Sequence, residues 1–301
     1  MTTSNRAALL NKTHKHLKRT YKHTPLKGDQ PLLESLLFAC VLENARHDTA
    51  QQAFTKVQAA FFDWNEIRVS TVKELSEVMD NLPDATGAGT RLKGVLQSVF
   101  ESDYSFDLEH LKKQNIGVAV KRLQKLSGST PFTVAYATQT ALGGHSIPVD
   151  KGTLGALYVL GVISESEAAE GQVPGMERAI PKSKGQEFGA LVHELGADFF
   201  SNPFSPSLRE QLLAIASDAR ERFPKRASKK PVEAPAPPPT KAVAVDSKKK
   251  GKEPAAAAKK PAKTAEKHVV RNAKAAAHPK KKAGPAGKKT AAKTLTKRKP
   301  R

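Results

Sequence analysis

Two features of the sequence predict an all-α fold. Between residues 28 and 224, apolar residues recur at three- and four-residue spacing, which is typical of amphipathic helices. No segment alternates with a period of two for long enough to form a convincing strand. We therefore expect about ten helices in one folding unit over residues 28–224, a length sufficient to bury a proper core.

The N-terminal residues 1–27 form a basic lead-in with seven basic residues and no acidic one. Its three histidines, His14, His16 and His23, lack cysteine or carboxylate companions at fixed spacing, so no metal site is predicted there. Two interpretations stay open for this segment: a solvated lead-in, or an arm that contacts phosphates.

Helical patterns begin at Pro31. The first has apolar residues from Leu32 to Val41, and the second starts near Asp48. Ser70 and Thr71 precede Glu74 as a helix N-cap, and another helix opens at residues 87–93 and continues to Phe100. A glycine-rich phosphate loop is the alternative for residues 87–93, but no strand precedes it and the G-x-x-x-x-G-K-[ST] spacing is absent.

Residues 126–161 contain the arrangement that calls for a specific chemistry. A helix carrying Lys121, Arg122 and Lys125 leads into the tight turn Ser127-Gly128-Ser129-Thr130, and Pro131 opens a second helix that runs to Leu142. Gly128 supplies the permissive backbone that a helical hairpin needs. Backbone N–H groups at the start of the second helix can bind a phosphate.

Asp150 follows the short apolar run Ile147-Pro148-Val149 and precedes another helical pattern through Leu154, Leu157 and Leu160. This order places a carboxylate at a helix N-terminus. If the residue only caps the helix, asparagine would serve nearly as well; if its charge is required, asparagine would not.

The hairpin and Asp150 together resemble the helix-hairpin-helix DNA glycosylases (the HhH-GPD superfamily) related to endonuclease III and the adenine-mismatch glycosylase. The family's hairpin, L-P-G-[VI]-G-x-x-[TV]-A, aligns with Leu126, Gly128, Thr133 and Ala135, and its V-D pair with Val149-Asp150. The hairpin's proline and second glycine are replaced by Ser127 and Thr130. The resemblance implies a two-lobed all-α fold with a DNA-binding groove between the lobes.

The resemblance also implies roles for individual residues. Asp150 is the expected catalytic carboxylate, and Glu34 falls where the adenine-mismatch branch has a glutamate that protonates the base; a surface glutamate is the alternative for Glu34. Phe132 stands where bifunctional members carry a Schiff-base lysine, so no lyase activity is expected. The expected DNA-contacting residues are Lys121, Arg122, Lys125, Gly128, Ser129, Thr130, Thr133 and Lys151.

A single cysteine, Cys40, excludes an intramolecular disulfide and the four-cysteine iron–sulfur cluster of many endonuclease III relatives, so no cofactor is expected. Cys40 itself falls where family members often place a residue that probes the duplex, although a lone cysteine on an apolar stripe is more often buried. No apolar run is long enough to span a membrane. A soluble, intracellular monomer associated with the chromosome is expected.

The net charge of +21 is concentrated at the C-terminus. Residues 225–301 hold 25 Lys and Arg against 4 Asp and Glu, whereas residues 28–224 hold 18 against 25. The tail is rich in Lys, Ala and Pro and resembles linker-histone tails. Because it has few large apolar residues, we expect it to be disordered and to bind double-stranded DNA without sequence preference; a solubility tail is the alternative.

Two functions from different classes follow. The first is a monofunctional DNA glycosylase of base excision repair, which hydrolyses the N-glycosidic bond of a flipped base. The second is a catalytically inactive DNA-binding protein with an architectural role. Asp150 at the family's spacing favours the enzyme, and the altered hairpin favours the binding protein. A third possibility, a helical protein that uses the hairpin for protein contacts, is weaker.

Overall fold

The computed structural model describes residues 3–22 and 30–225, and within them every regular element is helical, so the all-α prediction is confirmed. The α-helices are α1 (Thr3–Thr20), α2 (Leu32–Leu42), α3 (His47–Ala60), α4 (Trp64–Val69), α5 (Val72–Val78), α6 (Ala85–Asp103), α7 (Ile116–Gln124), α8 (Pro131–Thr140), α9 (Lys151–Val159), α10 (Glu165–Ala169), α11 (Met176–Ala179), α12 (Lys182–Ser201) and α13 (Pro206–Ile215). Two short 3₁₀ helices span Glu109–Lys113 and Ser217–Arg222.

Two separate hydrophobic cores divide the described residues into two lobes. The first core is built from α2 to α8 and extends from Leu32 to Ala137. The second is built from α9 to α13 together with α1, whose Leu10 and Leu17 are fully buried in it. The chain therefore starts in the second lobe, forms the first lobe, and returns to the second at Ile147.

Helix α1 corrects the expectation of a solvated lead-in. Besides Leu10 and Leu17, which each contribute about 2 kcal/mol by burial, Arg6 donates two hydrogen bonds to the Glu167 carboxylate at 2.8 and 2.9 Å. The basic side chains Lys12, Lys15, Lys18 and Arg19 remain on the exposed face. This helix is thus a packed part of the second lobe with a positive outer surface.

Helices α9 and α12 cross at a contact between two glycines. A Cβ atom on Gly152 would overlap the Gly196 carbonyl group, and one on Gly196 would overlap Thr153. The backbones therefore approach more closely than side chains would allow. Because His193 lies one turn before Gly196, this crossing brings it against the N-terminus of α9.

Residues 87–93 lie inside α6, which begins with Asp84 as its N-cap. The Asp84 carboxylate accepts a hydrogen bond from the Gly87 N–H group at 3.0 Å. The helix prediction is confirmed here and the phosphate-loop alternative is wrong. The predicted tail lies outside the described residues, apart from Lys225. None of the helices in the described ranges has the length and apolar character that a membrane span requires.

Candidate functional site

The hairpin between α7 and α8 turns tightly against α6. Gly128 has φ of +83°, and a Cβ atom there would lie 2.6 Å from the Arg91 carbonyl oxygen. The Ser129 N–H group donates to the Leu126 carbonyl oxygen at 3.1 Å and closes the turn. Both the left-handed backbone and the close approach require glycine at position 128.

The start of α8 is capped internally. The Thr130 hydroxyl accepts a hydrogen bond from the Thr133 N–H group, and the Thr133 hydroxyl accepts one from the Thr130 N–H group at 2.9 Å. Pro131 has no N–H group to offer. The expectation of free N–H groups at this helix start is therefore corrected: fewer donors remain for a phosphate than the sequence indicated.

The predicted basic residues divide into free and paired groups. Lys121 on α7, Lys125 directly after α7, and Lys151 at the start of α9 have exposed side chains. Arg122 instead pairs with Asp103 at the end of α6, at 3.2 Å. Three of the four cations are thus available for phosphate contacts, and the fourth holds α7 against α6.

Glu43, at the end of α2, is a residue of the site that sequence reasoning missed. Its carboxylate accepts a hydrogen bond from the Thr130 hydroxyl at 2.8 Å and lies 3.4 Å from Arg91 Nε. Burial raises its pKa, and Arg91 offsets only part of this effect. The available signal was a charged residue directly after the apolar run from Leu36 to Leu42, a position where a carboxylate needs a specific partner.

Asp150 caps α9, and both of its oxygen atoms are occupied. Oδ1 accepts from the Thr153 N–H group at 2.8 Å, and Oδ2 accepts from the Asn44 N–H group at 3.0 Å. The side chain has no exposed surface. The predicted cap is present, but Asp150 also bonds across the lobe boundary, which no local pattern could indicate.

The turn between α2 and α3 is held to the second lobe by a set of bonds that we call the interlobe clamp. Its first-lobe members are Asn44, Ala45, Arg46 and His47; its second-lobe members are Asp150, Gly152, His193, Glu194 and Asp198. Asn44 has φ of +64°, a conformation that asparagine tolerates better than most residues. This strained turn points its backbone groups at Asp150 and His193.

The partners of His193 favour a proton on both ring nitrogens. Nε2 lies 2.8 Å from the Ala45 carbonyl oxygen, which only accepts, so Nε2 is protonated. Nδ1 lies 3.2 Å from Asp150 Oδ2, and an unprotonated Nδ1 would face a carboxylate with its lone pair. Burial alone would lower the pKa of His193, but the hydrogen bond and charge of Asp150, together with the Ala45 carbonyl group and Glu194, outweigh burial and raise it.

Asp150 is correspondingly held ionised. Burial alone would raise its pKa, but the positive charge of His193 and the Thr153 N–H donor bring it down to about 2. The two side chains form an enclosed pair, with His193 Nδ1 3.2 Å from Asp150 Oδ2. The buried Asp150 carboxylate is therefore ionised only together with a protonated His193 beside it.

A cavity of about 420 Å³ opens between the lobes beside this pair. Its wall includes Phe132 and Tyr136 from α8, His193 and Glu194 from α12, and Lys22. The rings of Phe132 and His193 lie 5.2 Å apart at 31°. His193 thus lies between the cavity and Asp150. Phe132 is part of the cavity wall, at the position where the resemblance to helix-hairpin-helix DNA glycosylases would place the Schiff-base lysine of bifunctional members.

Glu34 lies away from this arrangement. It is in the first turn of α2, whereas Glu43 and Asn44 follow its C-terminus. A rise of 1.5 Å per residue separates Glu34 from Glu43 by roughly 13 Å along the helix. The structure therefore does not bring Glu34 to Asp150. Cys40 is fully buried, and burial raises the pKa of its thiol to about 12, so it packs and does not probe a duplex.

No protein-family model matches the sequence, and no curated protein does. Among solved structures, the chain is similar to a thermostable thymine-DNA glycosylase, with 14% identity, a TM-score of 0.48, and coverage of 72% of this chain and 98% of the other. It is also similar to endonuclease III in a trapped covalent complex with DNA, with 14% identity, a TM-score of 0.49, and coverage of 74% and 100%.

A third similar structure is the H. pylori 3-methyladenine DNA glycosylase MagIII bound to 1,N6-ethenoadenine, with 15% identity, a TM-score of 0.39, and coverage of 73% and 96%. Two of these three proteins are named as DNA glycosylases. With TM-scores below 0.5, they indicate what the chain is similar to, and the two-lobed all-α fold stands on the helices and cores described above.

Proposed function

We propose that the chain is a monofunctional DNA N-glycosylase that acts on double-stranded DNA as a monomer. The observation that carries this proposal is the cavity between the lobes, which is bordered by His193 and backed by the ionised Asp150. Its volume suits a small organic ligand such as a nucleobase. A base must leave the stacked duplex before its glycosidic bond becomes accessible.

Asp150 would act through its charge. When the bond from C1′ to the base nitrogen breaks, positive charge develops on the sugar, and a fixed anion in a water-poor site stabilises it. The enclosed carboxylate cannot attack C1′ in this conformation, because its side chain has no exposed surface. Hydrolysis by water, without a covalent enzyme intermediate, is the reaction that such a carboxylate supports.

The hairpin and its flanking cations would hold the DNA backbone. Lys121, Lys125 and Lys151 have exposed side chains around the turn that contains Gly128, Ser129 and Thr130. Contacts to phosphates fix the position of a protein on a duplex without selecting a sequence. Glu34 has no part in this mechanism, and its assignment as an acid on the leaving base finds no support in its position.

Phe132 supports the absence of lyase activity, since its ring cannot form a Schiff base. Borohydride should therefore trap no protein–DNA adduct. Lys22 also borders the cavity, so it is the amine to replace if an adduct does form. A trapped adduct that disappears in Lys22→Ala would show a bifunctional enzyme that uses a different lysine.

The second candidate is a DNA-binding protein without catalysis. The observation that favours it is the full occupation of both Asp150 oxygens by bonds that join the two lobes, which is a sufficient structural reason for an aspartate at this position.

One experiment separates the two candidates. The full chain and Asp150→Asn are incubated with duplexes that carry a panel of damaged or mispaired bases, and alkali then reveals abasic sites. We expect excision by the wild type and a rate at least about a hundredfold lower in the variant. If the wild type excises none of the bases while binding every duplex, the binding protein is the correct assignment.

A further inference from the structure

We propose that Tyr136 and Gln139, two neighbouring residues of α8, select the base that the interlobe cavity accepts, and that they require an N–H donor on its pairing edge. The proposal rests on the proposed glycosylase function and names the substrate class of the same site. Uracil and hypoxanthine carry such a donor, at N3 and N1 respectively, whereas their 3-methyl and 1-methyl forms lack it.

Both side chains border the interlobe cavity and are more than nine-tenths buried. Tyr136 is 7% exposed and Gln139 is 6% exposed. They are three residues apart in α8, so they lie next to each other on one face of the helix. A base in the cavity would therefore be within reach of two neighbouring polar groups in an enclosed wall.

The Tyr136 hydroxyl has no partner in the protein. It forms no hydrogen bond in the part of the chain that the structure describes, and it is not one of the unpartnered polar atoms that are sealed from solvent. Burial alone raises the pKa of Tyr136, without a contribution from any charge or hydrogen bond. Because buried polar groups are normally hydrogen-bonded, this hydroxyl is available to a ligand in the cavity.

The Gln139 amide is fixed through its nitrogen and free at its oxygen. Nε2 donates to the Ser146 carbonyl oxygen at 2.6 Å, and this bond sets the orientation of the amide because a carbonyl oxygen only accepts. Oε1 accepts no hydrogen bond from the described residues, and it too is not sealed from solvent. The amide therefore offers the cavity a positioned acceptor.

Gly189 keeps the space in front of this acceptor open. It lies on α12 and also borders the cavity, and a Cβ atom there would lie 3.5 Å from Gln139 Oε1 and from Pro148 Cδ. Such distances are ordinary contacts, so alanine would fit at this position but would occupy the approach to Oε1.

The charged groups of the same wall are already engaged. Glu194 accepts a hydrogen bond from the His47 N–H group at 2.8 Å and lies 3.3 Å from Arg46 Nε. These side chains hold the lobes together. Recognition of an uncharged base therefore falls to the hydroxyl and the amide oxygen.

The pairing edge is the part of the base that meets these groups. A flipped base is attached to the sugar on one side and is read on its Watson–Crick edge. In uracil and hypoxanthine this edge carries an N–H group beside a carbonyl oxygen. Gln139 Oε1 would accept from the N–H group, and the Tyr136 hydroxyl would donate to the carbonyl oxygen.

The apolar surroundings make this requirement strict. The rings of Phe132 and Tyr136 lie 6.3 Å apart at 26° in the same wall. A base without the N–H group would leave Oε1 without water and without a donor. A site built to hydrogen-bond its ligand rejects an analogue that lacks the donor much more strongly than an apolar site rejects a missing methyl group.

The test measures binding separately from catalysis. Duplexes carry uracil, 3-methyluracil, hypoxanthine or 1-methylhypoxanthine on a 2′-fluoroarabino sugar, which resists cleavage because fluorine destabilises positive charge on the sugar. For the full-length protein, fluorescence anisotropy should show affinities at least about a hundredfold higher for the two bases with an N–H group than for their methylated forms.

Two variants assign this preference to the proposed residues. Tyr136→Phe removes a hydroxyl that bonds to nothing in the described protein, so its melting temperature and its affinity for undamaged duplex should match the wild type. Its affinity for the uracil and hypoxanthine duplexes should fall by about tenfold, the value of one lost hydrogen bond. Gly189→Ala should fold normally and lose the preference for the N–H group.

The matched control is Tyr158→Phe. Tyr158 packs against the second core, its hydroxyl also forms no hydrogen bond in the described residues, and it does not border the cavity. We expect its affinities to equal those of the wild type. If Tyr136→Phe behaves as Tyr158→Phe does, the proposal is wrong.

Excision from the same duplexes with ordinary deoxyribose separates this proposal from the proposed function. Excision with equal affinity for methylated and unmethylated bases overturns the proposal and leaves the glycosylase assignment intact. The expected preference without excision of any base supports base recognition and overturns the glycosylase assignment. If neither uracil nor hypoxanthine is bound more tightly than undamaged duplex, the proposal is overturned whatever else is excised.

Discussion

Asp150 joins three parts of the molecule at a single carboxylate. It caps α9, accepts the Asn44 N–H group from the other lobe, and faces the charged ring of His193. An N-cap alone tolerates asparagine, as the sequence suggested, but the enclosed ion pair does not. Removing one partner of a buried pair leaves the other charge without compensation.

We therefore expect Asp150→Asn to lower the free energy of unfolding by about 3 kcal/mol, measured by urea denaturation at neutral pH. Asp218→Asn is the control, because Asp218 is an exposed residue whose ion pair is with Arg222 on its own short helix. A loss below about 1 kcal/mol for Asp150→Asn would match the value of a cap alone and contradict the ion pair.

The same pair predicts how stability depends on pH. The pKa of His193 is raised above 6.5 in the folded protein, so its contribution is complete below pH 6.5 and is lost as pH rises through the folded value. The pKa of Asp150 is lowered from 3.8 to about 2, so its contribution is complete above about pH 4 and is lost as pH falls toward 2.

Urea denaturation from pH 5 to pH 9 tests this dependence. Wild type should lose stability relative to His193→Gln as pH rises above 6.5, and the comparison cancels the titration of Glu43 and His14, which both chains share. Parallel curves for the two proteins would show that His193 does not hold its second proton in the folded state.

Sequence reasoning located Asp150 but not its partners, for a physical reason. A cap is a local feature, since Asp150 and Thr153 are three residues apart. Asn44 and His193 meet Asp150 only because the lobes pack and because α9 and α12 cross at two glycines. No periodicity in the chain encodes that crossing. The family resemblance pointed to Glu34 in the first turn of α2, whereas Glu43 follows the other end of that helix.

At the level of elements, the hairpin shows how glycine and packing combine. The turn and both flanking helices were predictable, because Gly128 and Pro131 mark them in the sequence. The contact of the turn with Arg91 and Gly94 was not, since it depends on how α6 packs against it. Helix α1 was missed for a related reason: its many cations obscure the two leucines, Leu10 and Leu17, that bury it.

The hairpin can be tested with two glycines that differ in their surroundings. Gly128 and Gly143 both have positive φ, +83° and +64°, but a Cβ atom would meet the Arg91 carbonyl oxygen at Gly128 and nothing within 4 Å at Gly143. We expect Gly143→Ala to cost about 1 kcal/mol, from backbone strain alone, and Gly128→Ala to cost clearly more.

Gly128→Ala should also weaken DNA binding, measured by fluorescence anisotropy under conditions where the variant is folded. Gly143→Ala should bind as the wild type does. Equal affinity for all three proteins would show that the hairpin does not contact DNA.

At the level of the whole molecule, positive charge and folded structure are separated along the chain. Residues 28–224 carry a net charge of −7 and residues 225–301 carry +21. Since cations that neutralise phosphates release bound counterions, we expect the non-specific affinity for DNA to depend on residues 225–301. Under the proposed function, residues 28–224 would have to bind DNA despite their own net negative charge.

Deleting residues 225–301 should lower non-specific DNA affinity at low salt by at least about a hundredfold and flatten its dependence on salt concentration. The matched control is a tail of the same composition in scrambled order, which should bind as the wild type does. An unchanged salt dependence after deletion would assign DNA attraction to α1 and the hairpin instead.

The interlobe clamp has a mechanical consequence. Its bonds hold the α2–α3 turn against Asp150, His193 and Glu194, so closing the two lobes around a duplex by a hinge motion would break several of them at once. If the protein does not deform when it binds, the DNA has to bend instead. Flexible or poorly stacked steps bend at lower cost than regular duplex, so a rigid groove would by itself favour mismatched and damaged sites before any base is inspected.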